Sequence, residues 1–173
     1  MKTIVLTLVA SLLTVSSWPH LLAQAAEQKT VQDAVEGFLL HLGDGEFDTV
    51  AADLAPKSLV IVARERDGQP PRAGETTAPG AAPTSERKWA NTFQTGEEWL
   101  AALRRNDHFV KFREPLTNVR VTIDSNALAY VRADFQVVRD GKAVSHGVDQ
   151  FTLVKENDRW KLAGVAYTSM AVK

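Results

Sequence analysis

Gly147-Val148-Asp149-Gln150-Phe151-Thr152-Leu153-Val154-Lys155-Glu156-Asn157-Asp158-Arg159-Trp160-Lys161-Leu162 reads as the two arms of one β-hairpin. Asp149, Phe151 and Leu153 alternate with Gln150 and Thr152, which is the period of a strand with one face covered. Glu156-Asn157-Asp158 is turn chemistry, and Trp160 and Leu162 restart the alternation beyond it. The two arms are expected over 143–155 and 159–169.

The same grammar extends upstream. Arg139-Asp140-Gly141-Lys142 and Asp124-Ser125-Asn126 are further turns, and they separate candidate strands at 127–138, 118–124 and 109–113. With Asp140 and Gly141 at the hairpin tip, opposed residue numbers sum to about 281 by simple pairing. That register sets Arg132 opposite Asp149, Tyr130 opposite Phe151 and Leu128 opposite Leu153, an ion pair at the end of an apolar patch.

Before residue 107 the period is helical. Thr30 and Asp33 resemble a capping box, followed by Val31, Ala34, Val35, Phe38, Leu39 and Leu42 on one stripe that ends at Gly43. Phe47, Val50, Ala51 and Leu54 form a second, shorter helix that stops at Pro56. Ser58 to Arg64, with four consecutive aliphatic residues, is a strand. Thr95-Gly96-Glu97-Glu98 caps a third helix, with Trp99, Ala102 and Leu103 on its apolar edge. Between them, Asp67 to Ser85 has Pro and Gly throughout and no apolar period, so it is expected to be a flexible loop. The fold class is therefore α+β: three helices packed in the concave face of a strongly curved, mostly antiparallel sheet.

The first 25 residues have the pattern of a cleavable secretory signal. Lys2 precedes an apolar run from Ile4 to Val15, too short for a span of roughly 20 residues, and Ala23-Gln24-Ala25 is a peptidase site. Cleavage before Ala26 leaves one domain, 26–173, in the periplasm or secreted, with no membrane association after cleavage. There is no Cys, which excludes a lipid-modified cysteine, disulfides and thiolate chemistry. Lys and Arg total 20 against 21 Asp and Glu without blocks of either sign, so nucleic acid is not an expected partner. The His residues have no ligand-type spacing, and neither a metal nor a cofactor is expected.

The element order and the closing hairpin, with Trp160 followed two residues later by Leu162, resemble the nuclear transport factor 2-like superfamily, most closely its SnoaL-like branch. The resemblance runs from Thr30 to Met170 and implies a cone-shaped pocket between helices and sheet. It also implies a choice among isomerases, cyclases, dehydratases, hydrolases and non-catalytic binding or dimerisation modules that fold alone cannot make. The ketosteroid isomerases of this fold use a Tyr and two Asp. Their Tyr position falls near Gly37 or Phe38 and their base position near Val62, neither able to do that chemistry; only the late-strand acid has a counterpart, Asp149.

On this reading the pocket binds a small, mostly apolar ligand, with Phe38, Trp99, Tyr130, Arg132, Phe151 and Trp160 as ligand-binding residues. The alternative is a cofactor-independent isomerase, cyclase or dehydratase with His41 as base and Asp149 or Arg132 as its electrophilic partner. That alternative requires His41, Arg132 and Asp149 to converge in one cavity. A second alternative is a homodimeric interaction module that uses the open sheet face.

Overall fold

The computed structural model describes residues 18–65 and 89–172. The segment expected to be a flexible loop, 67–85, and the greater part of the signal segment lie outside the described residues. The element order is α1 (Trp18–Asp44), α2 (Phe47–Asp53), β1 (Leu54–Glu65), β2 (Trp89–Thr95), α3 (Gly96–Arg104), β3 (Leu116–Asp124), β4 (Leu128–Arg139), β5 (Lys142–Glu156) and β6 (Arg159–Ala171). The six strands form one sheet in the order β2-β1-β6-β5-β4-β3, antiparallel except for the β1/β6 pair. The helices pack on its inner face, as the α+β reading requires.

Local chemistry explains most boundaries. Thr95 accepts a hydrogen bond from the Glu98 amide, and the Glu98 carboxylate accepts one from the Thr95 amide in return, so the capping box at α3 is complete. The tight turns expected after β3, β4 and β5 have left-handed residues at Ser125 and Asn126, at Asp140 and Gly141, and at Asn157 and Asp158. α1 presents Val31, Val35, Phe38, Leu39 and Leu42 to the core, where they meet Val131, Phe151, Leu153 and Leu162 from the sheet. Full burial of each such side chain contributes about 1.5–3 kcal/mol.

Four expectations are corrected. First, α1 begins well before Thr30; Thr30 Oγ1 donates to the Ala26 carbonyl at 3.1 Å and Asp33 pairs with Lys29 at 2.7 Å, so neither residue caps. The chain upstream is itself helical, so there is no free helix end there to cap. Second, 109–113 is not a strand. Its one ladder contact is the bridge between Arg113 and Val138, while the Phe112 amide donates to the Gly43 carbonyl. Gly43 lies so close to the Phe112 carbonyl that a Cβ there would collide with it. Phe109 meets Phe47 edge-on at 5.1 Å, and aromatic packing thus replaces strand pairing along this segment.

Third, Trp89–Thr95 is a strand the sequence reading omits. It is an edge strand with mostly polar or half-exposed positions, so no apolar face announces it. The fourth correction is the register of the β4/β5 hairpin. Val138 pairs with Ala143, as the tip predicts, but Val137 pairs with Ser145. Val144 is therefore an extra residue, a β-bulge, and every pair beyond it is shifted by one. Arg132 faces Gln150, Tyr130 faces Thr152, Leu128 faces Val154 and Ala133 faces Asp149. A one-residue shift exchanges the two faces of a strand. Asp149 consequently points inward with Phe151 and Leu153, while Arg132 and Tyr130 point outward.

Candidate functional site

Between α1, α3 and the inner sheet face lies a cavity of ≈ 490 Å³. Its walls are aromatic: Phe38 from α1, Trp99 from α3, Phe109 and Phe112 from the segment after α3, and Phe135 and Phe151 from β4 and β5. Phe38 and Trp99 stack with ring centroids 6.3 Å apart. This volume and lining suit a small organic molecule.

Three titratable groups enter the apolar interior. Asp149 is 2% exposed, and its Oδ2 has no hydrogen-bond partner. Glu114, carried by the segment between α3 and β3, hydrogen-bonds to the Asp149 side chain. Tyr167 on β6 is paired across the ladder with Asp149. Burial, then the neighbouring Glu114 charge, pushes the Asp149 carboxyl up to about 9, and burial raises Glu114 to about 7. Burial likewise pushes the Tyr167 phenol up to about 12. At neutral pH the carboxyl pair holds at least one proton, and a single proton lies in the hydrogen bond between the two groups. Below about pH 7 the site offers a neutral carboxylic acid and a neutral phenol to whatever enters.

Toward the open end of the strands the lining becomes polar and cationic. Arg64 pairs with Ser169 across the β1/β6 ladder, and Arg139 and Ser145 lie at the neighbouring ends of β4 and β5. Asn106 and His108 line the same end from the segment after α3.

The candidate residues read from sequence divide sharply. Phe38, Trp99, Phe151 and Asp149 come together in the cavity. Tyr130 is 42% exposed on the outer face, and Arg132 lies beside Asp134 there at 3.1 Å. Trp160 is buried at the far end of the sheet, where its Nε1 donates to Glu27 at 2.8 Å and the Lys155 ammonium sits over its ring. His41 turns toward α2, with Nδ1 3.3 Å from Asp53 Oδ2, and does not line the cavity. The convergence of His41, Arg132 and Asp149 required by the first catalytic alternative does not occur. His41 misses the cavity because Phe38, Leu39 and Leu42 occupy the inward stripe of α1. Arg132 misses it because the alternation of β4 turns Ala129, Val131, Ala133 and Phe135 inward, and the Val144 bulge brings Ala133, not Arg132, opposite Asp149.

Glu114 and Tyr167 are the residues that sequence reasoning missed. Tyr167 was recoverable, because the β6 alternation that buries Val165 also turns Tyr167 inward. Glu114 sits in irregular backbone before Pro115, where no period assigns a face.

The architecture has many counterparts among solved structures. A protein of unknown function from Mycobacterium tuberculosis superposes with a TM-score of 0.62 at 14% identity, over 86% of this chain and 75% of its own. A nuclear transport factor 2-like protein with a cystatin-like fold from Novosphingobium aromaticivorans gives 0.60 at 11% identity, over 91% of both chains. The chain has the nuclear transport factor 2-like fold. A candidate scytalone dehydratase with this fold, also from Novosphingobium aromaticivorans, superposes with a TM-score of 0.58 at 15% identity, over 84% of this chain and 85% of its own. No protein-family model and no curated protein matches the sequence. The nuclear transport factor 2-like fold is thus established by shape, and ligand binding and catalysis are both compatible with it.

Proposed function

We propose that this is an exported binding domain that takes up a small, mostly apolar molecule bearing one hydrogen-bond acceptor, such as a ketone. The observation that carries this reading is the buried Asp149 Oδ2, a polar atom without a partner at the edge of an aromatic cavity. Leaving such a group unpaired costs about 1–3 kcal/mol, and an acceptor on a ligand relieves that cost. When both carboxyls hold a proton, below about pH 7, Glu114 donates to Asp149 and the second Asp149 oxygen keeps its O–H for the ligand, while the aromatic walls enclose the ligand's body. The export assignment rests on the Lys2, Ile4–Val15 and Ala23-Gln24-Ala25 pattern.

Tryptophan fluorescence titration with 2-acetylnaphthalene and with 2-ethylnaphthalene tests the reading. The ketone is expected to bind more tightly, and that preference is expected to vanish in Asp149→Val. Equal affinity of the two probes in the unmodified protein contradicts it.

A second reading is catalytic, and the contact between Glu114 and Asp149 favours it. Two carboxyls whose environments set them apart suit a base and an acid acting on one substrate. In a dehydration or isomerisation, Glu114 would accept a proton from carbon while Asp149 donates to the developing oxyanion; Glu114 then gives its proton to the departing hydroxyl, which leaves as water, or to a second carbon, and Asp149 takes its own proton back as the carbonyl re-forms. The candidate scytalone dehydratase among the structural counterparts is consistent with this class.

A further inference from the structure

We infer that the ligand of this cavity is an anion, with a carboxylate at the end of its apolar body opposite the acceptor, and that the cationic rim carrying Arg64 and Arg139 attracts and receives that carboxylate. The inference rests on the binding reading and adds the chemical class of the ligand.

The cavity is polar at two neighbouring places, close enough that the Arg64 charge acts on the Tyr167 phenol. The inner one is the Asp149 and Tyr167 row. Val62 pairs with Tyr167 and Arg64 with Ser169, so Arg64 stands two residues further along the sheet, roughly 7 Å at the rise of a strand. At that end the lining changes to Arg64, Arg139, His108, Asn106, Ser145 and Ser169, all able to donate hydrogen bonds. Among the described lining residues the acidic groups are Glu114 and Asp149 alone, and both belong to the inner place.

Neither Arg64 nor Arg139 is held by a carboxylate among the described residues. This sets them apart from Arg104, Arg113 and Arg132, which pair with Asp48, Asp44 and Asp134. Both rim arginines remain exposed, so they keep their hydration until a ligand arrives. A guanidinium fork matches a carboxylate in two parallel hydrogen bonds, and the serine hydroxyls beside it can complete the shell. A neutral apolar ligand would leave this cationic rim unused. A molecule with a carbonyl at one end and a carboxylate at the other uses both polar places.

The test compares 6-acetyl-2-naphthoate with 2-acetylnaphthalene, which share the ring and the ketone and differ in the carboxylate. At low salt the naphthoate is expected to bind about tenfold more tightly or better, a difference of about 1.4 kcal/mol. That advantage should shrink as salt is raised, because charges at a rim are screened. It should disappear in the Arg64→Gln/Arg139→Gln double variant, whose unchanged affinity for 2-acetylnaphthalene shows that it is folded. If both probes bind the unmodified protein alike, the carboxylate inference is wrong while the binding reading stands. If neither probe binds, both fall.

Discussion

The side chains of Asp149 and Glu114 hydrogen-bond to each other inside an aromatic cavity, one from the middle of a sheet and one from irregular chain that crosses above it. The pair makes stability pH-dependent with a sign opposite to that of a salt-bridged carboxylate. Asp149 is raised from 3.8 to about 9 and Glu114 from 4.5 to about 7. Between those values the folded chain holds protons that the unfolded chain has released. This contribution is fully present below about pH 4 and is lost as pH rises toward about 9, with a limiting slope of about 1.4 kcal/mol per pH unit for one proton. Denaturant unfolding at about pH 5 and about pH 8 is expected to show the loss, and Asp149→Asn is expected to flatten it.

Deletion of Val144 removes the bulge and restores simple pairing along the whole β4/β5 hairpin. Asp149, Phe151 and Leu153 would then face solvent, so the variant is expected to lose its cooperative thermal transition. A deletion variant that unfolds cooperatively near the unmodified midpoint would show that the bulge does not set the faces of β5.

Phe151 is 2% exposed and belongs both to the core and to the cavity wall. Phe151→Ala is expected to lower unfolding free energy by about 3–5 kcal/mol in chemical denaturation. Phe109→Ala should cost less, because Phe109 is only half-buried, while still enlarging the cavity.

The processed chain is expected to begin at Ala26, which intact mass and N-terminal sequencing of exported protein can check. That cut retains Glu27, whose carboxylate accepts from Lys155 at 2.7 Å and from Trp160 Nε1 at 2.8 Å; these hydrogen bonds hold the Glu27 carboxyl below its usual range. Glu27→Ala is expected to destabilise by about 1–2 kcal/mol, because it leaves a buried indole N–H unpaired.

The fold was legible where periodicity and turn chemistry agree. The alternation around Phe151 and Leu153, the three turns and the Thr95 capping box place β3 to β6 and α3 to within a few residues. The site was only half legible. Phe38, Trp99, Phe151 and Asp149 lie on regular elements whose inward faces can be read. A count made from the hairpin tip puts Arg132 and Tyr130 opposite Asp149 and Phe151, because the single inserted residue Val144 is invisible to it. Glu114 had no readable face, since its segment is held by Gly43, Val138 and aromatic packing, contacts distant in sequence.

The ligand account turns on Asp149 being a neutral donor inside the folded protein. Carbon-13 NMR of the Asp149 carboxyl carbon across a pH titration, assigned with Asp149→Asn, measures this directly. The account predicts a carboxyl that stays protonated through neutral pH and titrates near 9. A midpoint near the ordinary 3.8 would contradict it.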